Sequence, residues 1–198
     1  MKKKKTGDAM KYETISYYEP GDRFSPEQFG KHLTRLICEV QEEKQKNGVL
    51  YLCIGSDRST GDSLGPLIGY LLEKNNFPSV VGTLQKPVHA VNLEEAVTRL
   101  EVDCRDNVVV AIDASVGQKE HIGCITLGKG AIKPGLGVKK DLVAVGDIFI
   151  TGIVGSSCRF EPLMLQNTRL SMVMELADCI SRGIQSVENF LVPAGMNR

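Results

Sequence analysis

The sequence predicts an α/β protein, a three-layer α/β/α sandwich on a mostly parallel, twisted sheet. Three observations predict it. Short uninterrupted apolar runs, Val49 to Ile54 and Val108 to Ile112 above all, have the length of strands buried on both faces. Segments with apolar residues at helical spacing separate these runs, so strands and helices alternate along the chain. The 198 residues, 42% hydrophobic and 24% charged, suit one core of ordinary size and show no repeat.

Residues 1–24 are polar and carry Tyr12, Tyr17 and Tyr18 without a clean period. They read as a flexible N-terminal arm ahead of a single domain over 25–198. Ser25-Pro26-Glu27-Gln28 then supplies an N-cap, a proline at the first helical position and a capping-box glutamine. Phe29, Leu33, Leu36, Ile37 and Val40 continue the apolar stripe, and Asn47-Gly48 is expected to stop this helix. Val49 to Ile54 is the first strand. Leu64, Leu67, Ile68, Leu71 and Leu72 mark a second helix, and Ser79 to Leu84 a second strand. Asn92 is the expected cap of a third helix with Leu93, Ala96, Val97 and Leu100 inward. Asn107 to Ile112 is the third strand. Ile122 to Leu127 and Gly146 to Val154 follow as two more, around a glycine-rich, lysine-bearing segment from Gly128 to Asp141. A last helix is expected to begin between Pro162 and Thr168, with Leu163, Leu170, Val173, Met174, Ala177 and Ile180 inward.

Charge narrows the function classes. Lys plus Arg and Asp plus Glu each number 24, so no basic excess exists to displace counterions from a nucleic-acid backbone. No apolar stretch approaches the roughly 18 residues of a membrane span. Met1-Lys2-Lys3-Lys4-Lys5 is followed by Thr6-Gly7-Asp8 and not by an apolar stretch, so a cytoplasmic protein is expected. The 6 cysteines include no C-x-x-C pair and sit mostly in apolar runs, as reduced, buried thiols do.

In open parallel sheets, ligands collect beyond the carboxyl ends of the strands. Asp62 lies in the loop and helix start after the first strand, and Asp113 follows the third in Ala111-Ile112-Asp113-Ala114. A strand order beginning 2-1-3 would set both carboxylates in one crevice. Two close carboxylates can share one proton, because both cannot ionise cheaply, and such a pair can take a proton from water and return one to a leaving group. The same two groups could instead hold a divalent cation, cap a helix or bond loop amides. His89 follows the second strand on the same edge and is a candidate for lining the crevice. Other motifs are decoys. Gly55 to Ser63 places Asp62 where a phosphate loop needs its lysine, and His32 and His121 lack metal-ligand partners at helical spacing.

Three ordered segments carry a family resemblance. Cys53-Ile54-Gly55 through Asp62-Ser63-Leu64-Gly65-Pro66 resembles the first catalytic segment of the bacterial spore germination protease. Val110-Ala111-Ile112-Asp113-Ala114 resembles its second, and Ile132-Lys133-Pro134-Gly135-Leu136-Gly137-Val138 its later glycine-rich loop. With Pro87-Val88-His89-Ala90-Val91-Asn92-Leu93 and Gly146-Asp147-Ile148, the stretch from Phe24 to Ile180 is similar to the YyaC-type sporulation proteins. Hydrogenase maturation endopeptidases, with a phosphorylase/hydrolase-like fold, are more distant relatives. The resemblance implies an aspartic-type peptidase of the forespore or spore interior, with Asp62 and Asp113 as the acid pair and a protein or peptide substrate, such as a small spore protein. It implies no cofactor. The maturation enzymes' nickel-binding histidine falls on Gly135, and the germination protease's histidine on Lys133.

The expectation is therefore a peptidase in which whichever aspartate is ionised activates water and its protonated partner serves the tetrahedral intermediate. Arg58, Lys139 or Lys140 would orient the substrate, with His89 in the crevice. A non-catalytic peptide or spore-component binder on the same crevice is the rival, and a metal-dependent hydrolase the third reading. Self-association stays open.

Overall fold

The computed structural model describes residues 15–134, 143–156, 165–187 and 190. In chain order the elements are β1 (Ser16–Tyr18), α1 (Pro26–Lys44), β2 (Gly48–Cys53), α2 (Leu64–Lys74), β3 (Val80–Val81) and α3 (Leu93–Asp103). β4 (Asn107–Gly117), β5 (Ile125–Lys129), β6 (Ile148–Ser156) and α4 (Leu170–Gln185) complete them. The strands form one 6-stranded sheet in the order β1-β5-β6-β4-β2-β3. β2 pairs in parallel with β3 and β4, and β4 with β6, while β5 runs antiparallel to both β6 and β1. The 2-1-3 arrangement of the first three predicted strands is what β3-β2-β4 displays.

Two clusters fill the space on either side of the sheet. Alternate residues of β4, namely Val108, Val110, Ile112 and Ala114, face a large cluster built by α1, α2 and α4. Phe29, Leu33, Ile37, Leu64, Ile68 and Leu72 are fully enclosed there. Each such side chain contributes about 1.5–3 kcal/mol by leaving water. The other face carries a smaller cluster of Leu52, Ile54, Val88, Ala111 and Val145 under Leu93 of α3. The sandwich is three-layered but lopsided.

Local signals explain the boundaries. Gln28 N–H donates to Ser25 Oγ at 3.3 Å with Pro26 opening α1, as expected. The helix ends at Lys44, before Asn47-Gly48, because Gln45 takes the left-handed conformation (φ 54°). Asn92 precedes α3 but does not cap it; its side chain accepts from His89 N–H at 2.8 Å and donates to Pro87 O at 3.1 Å. The fourth predicted strand begins at Ile125, not Ile122, because a 3-10 turn over Lys119–His121 and Gly123 (φ 88°) use up the chain before it. α4 starts at Leu170, and Leu170 and Met174, expected inward, are exposed at 58% and 45%. Val173, Leu176, Ala177 and Ile180 form its buried stripe.

The expected arm needs correction over its last residues. Ser16–Tyr18 is an edge strand, registered on Leu127, Thr126 and Ile125. Its hold is aromatic: the Tyr18 ring meets Phe29 edge-on at 5.0 Å, and its hydroxyl bonds His32 Nδ1 at 2.6 Å. Three residues are too few to show an alternating pattern, which is why the strand is silent in the sequence. Residues 1–14 lie outside the described ones.

Candidate active site

Asp62 owes its position to a run of glycines. Gly55 leaves β2 at φ 141°, and its N–H donates to Val88 O at 2.8 Å. Ser56 N–H then donates back to the Asp62 carbonyl at 3.0 Å, closing the loop that runs into the 3-10 turn Gly61–Ser63 and α2. A methyl group at Gly55 would lie 2.0 Å from that carbonyl, and one at Gly65 would lie 2.0 Å from Ile54 O. Only bare backbone lets the first turn of α2 press on the end of β2. Asp62 is half-buried and one residue ahead of the helix cap Ser63, so it does not cap α2.

Asp113 stands within β4, not at its end as expected, since that strand continues to Gly117. It is buried, 6% exposed, on the same sheet face as Ala111. Its Oδ1 accepts from Ala114 N–H at 2.8 Å. Burial first, and the neighbouring Asp62 charge second, raise its carboxyl well above the usual range, against the Ala114 amide. Burial also raises Asp62, but the Ser56 amide and the His89 charge pull it back. The Asp62 charge is thus felt at Asp113. The two acids are unequal, and Asp113 is the better proton holder.

His89 joins them from the loop after β3. A parallel bridge between Ile54 and Val88 lays this loop beside β2. Val91 N–H lies 3.3 Å from His89 Nδ1 and orients the ring. Arg58 is exposed on the Asp62 loop, its N–H donating to Ser56 Oγ at 3.3 Å. Lys139, Lys140 and Gly135 lie outside the described residues. Neither histidine set aside as a decoy is idle: His32 binds Tyr18, and His121 stacks on Tyr17 with ring centroids 4.4 Å apart.

Two groups escaped the sequence reading as site residues. Ser59 Oγ, in the Asp62 loop, is buried with no hydrogen-bond partner among the described residues. Asp147, at the opposite edge of the sheet, is 8% exposed and ion-paired to Lys44 and to Lys46, the latter at 2.7 Å. It also accepts from Val109 N–H at 2.9 Å. Burial pushes its carboxyl up, but the two lysines and the Val109 amide outweigh this and hold it low. Nothing in a lone acid at a strand start distinguishes such a clamp. Among the described residues no three histidine, cysteine, aspartate or glutamate side chains gather as a metal site.

A family model described as "Protein of unknown function (DUF1256)" matches residues 22–183. The chain belongs to this family. A relative of the DUF1256 chain, "Uncharacterized protein YyaC" of Bacillus subtilis (strain 168), is 44% identical over 156 residues, 78% of this chain and 76% of the relative. The YyaC kinship read from the motifs is thus correct. Among solved structures, the [NiFe] hydrogenase maturation protease HycI from Thermococcus kodakarensis KOD1 is similar at 16% identity and a TM-score of 0.45. That likeness covers 78% of this chain and 99% of the other. At this distance it says nothing about chemistry.

Proposed function

We propose that this DUF1256 protein is a peptidase of the germination-protease type, working inside the forespore or spore on a protein or peptide substrate. The supporting observation is the asymmetry of the acid pair: burial and the Asp62 charge drive Asp113 well toward its protonated form, while Asp62, also raised by burial, is held back by Ser56 N–H and His89. The Asp62 carboxylate takes a proton from water as the oxygen bonds to the scissile carbonyl carbon. Asp113 gives its proton to the carbonyl oxygen, forming a neutral tetrahedral intermediate. Asp62 then returns its proton to the leaving nitrogen as the C–N bond breaks, and the collapsing hydroxyl re-protonates Asp113. His89 tunes Asp62, and Arg58, Lys139 and Lys140 are proposed to hold the substrate.

The rival reading, a peptide-binding module without catalysis, has the depth of Asp113 and its bond from Ala114 N–H in its favour. Cleavage of spore-extract proteins, followed by mass spectrometry, separates the two. Asp62→Asn and Asp113→Asn should each slow cleavage by at least about a hundred-fold, the usual contribution of a positioned acid or base. Undiminished cleavage in both variants would sink the aspartate mechanism; binding without any cleavage by the unaltered protein would establish the rival.

A further inference from the structure

Register places one row of side chains across four strands. Asp113 of β4 is opposite Thr151 of β6, Thr151 is opposite Thr126 of β5, and Thr126 is opposite Tyr17 of β1. Paired residues present their side chains on the same face, so the row begins at an acid of the pair and ends at the sheet margin. Its hydroxyls satisfy each other: Thr151 Oγ1 lies 2.8 Å from Ser115 Oγ and 2.7 Å from Thr126 Oγ1. The floor therefore demands no donor or acceptor from a visitor. Above it is a cleft of about 420 Å³, walled by Ile15, Ile132, Phe149 and Ile153. Gln118 and His121 also line it; among the described residues no lysine, arginine, aspartate or glutamate does. Ser115, two residues beyond Asp113 on the same strand, and Thr151, the partner of Asp113 across the sheet, line it too, so the cleft begins beside Asp113.

We propose that this cleft is the substrate subsite and that it takes an uncharged stretch of extended peptide, seating an apolar side chain between Phe149 and Tyr17. A charged side chain would lose its water against these apolar walls, whereas an apolar one leaves water at no such cost. Tyr17, 49% exposed at the rim, is then a specificity residue. The assignment rests on the peptidase reading for its meaning, but its test does not.

Fluorescein-labelled, end-capped octapeptides of glycine and serine with a single central leucine, lysine or glutamate serve as probes, with binding to the full chain read by anisotropy. The leucine peptide should bind about ten-fold more tightly than either charged one. Tyr17→Lys should narrow the gap for the glutamate peptide at least about three-fold, and Tyr17→Glu should do so for the lysine peptide. Ile15→Lys, from the other exposed rim position, should act as Tyr17→Lys does, which guards against misfolding of any one variant. Equal affinity for all three peptides, no binding at all, or an unchanged ranking in the charged variants would each overturn the subsite. Mass spectrometry of the same mixtures scores cleavage separately: the predicted ranking with no peptide cut would remove the peptidase reading and leave the subsite standing.

Discussion

Asp113 costs the fold stability. Its carboxyl titrates above the ordinary value of 3.8, so between that value and its own the native state holds a proton that the unfolded chain has lost. Stability therefore falls as pH rises through this window. Asp113→Asn removes the ionisation while keeping the shape. It should melt several degrees higher than the unaltered protein at pH 7, and the difference should shrink toward zero near pH 4. Calorimetry at the two pH values checks this; a variant equally or less stable at neutral pH would mean that the buried carboxyl carries no such cost. Both aspartates stand out in the sequence as acids beside apolar strands of a parallel sheet, near where ligands collect. Their ranking does not, since it depends on the depth of each group and on amides from Ser56 and Ala114 that only folding supplies.

At the level of elements, the site depends on how closely α2 approaches β2. Gly65 rides over Ile54 O, and Gly69 faces the backbone of Gly82, itself left-handed at φ 91°. Gly65→Ala would force the helix outward and carry Asp62 with it. The expected cost is about 2 kcal/mol from overpacking, with activity lowered more than stability would explain. Denaturant unfolding alongside cleavage rate measures both; an alanine accepted without loss of either would contradict the tight approach. Helices were the readable part of this chain, because α1 has an explicit cap and a continuous stripe. β5 was harder to delimit: its direction and start depend on the turn at Lys119–His121, and no periodicity encodes that. β3, only Val80–Val81 of the expected Ser79 to Leu84, was cut short where Gly82 turns the chain.

For the molecule as a whole, helices crowd one face of the sheet while α3 attends to part of the other. That imbalance is not visible in a list of elements, because alternation specifies layers and not how many helices each layer receives. The edge strand β1 is attached chiefly through Tyr18. Tyr18→Ala should lower stability by about 2 kcal/mol, or roughly 5 °C in Tm, by removing a half-buried ring and its bond to His32. A shift below about 1 °C would show that β1 is held by its ladder alone. The two deeply set acids, Asp113 and Asp147, have a joint consequence. Asp147, held low by its lysines, strengthens the fold above 3.8 and forfeits that contribution as acid is added through its own lower value. Asp113 does the reverse on the alkaline side of the same point. Taken together, the contributions of these two carboxyls are most favourable near the ordinary carboxylate value, so that mild acidification relieves the cost at Asp113 before it reaches the Asp147 clamp.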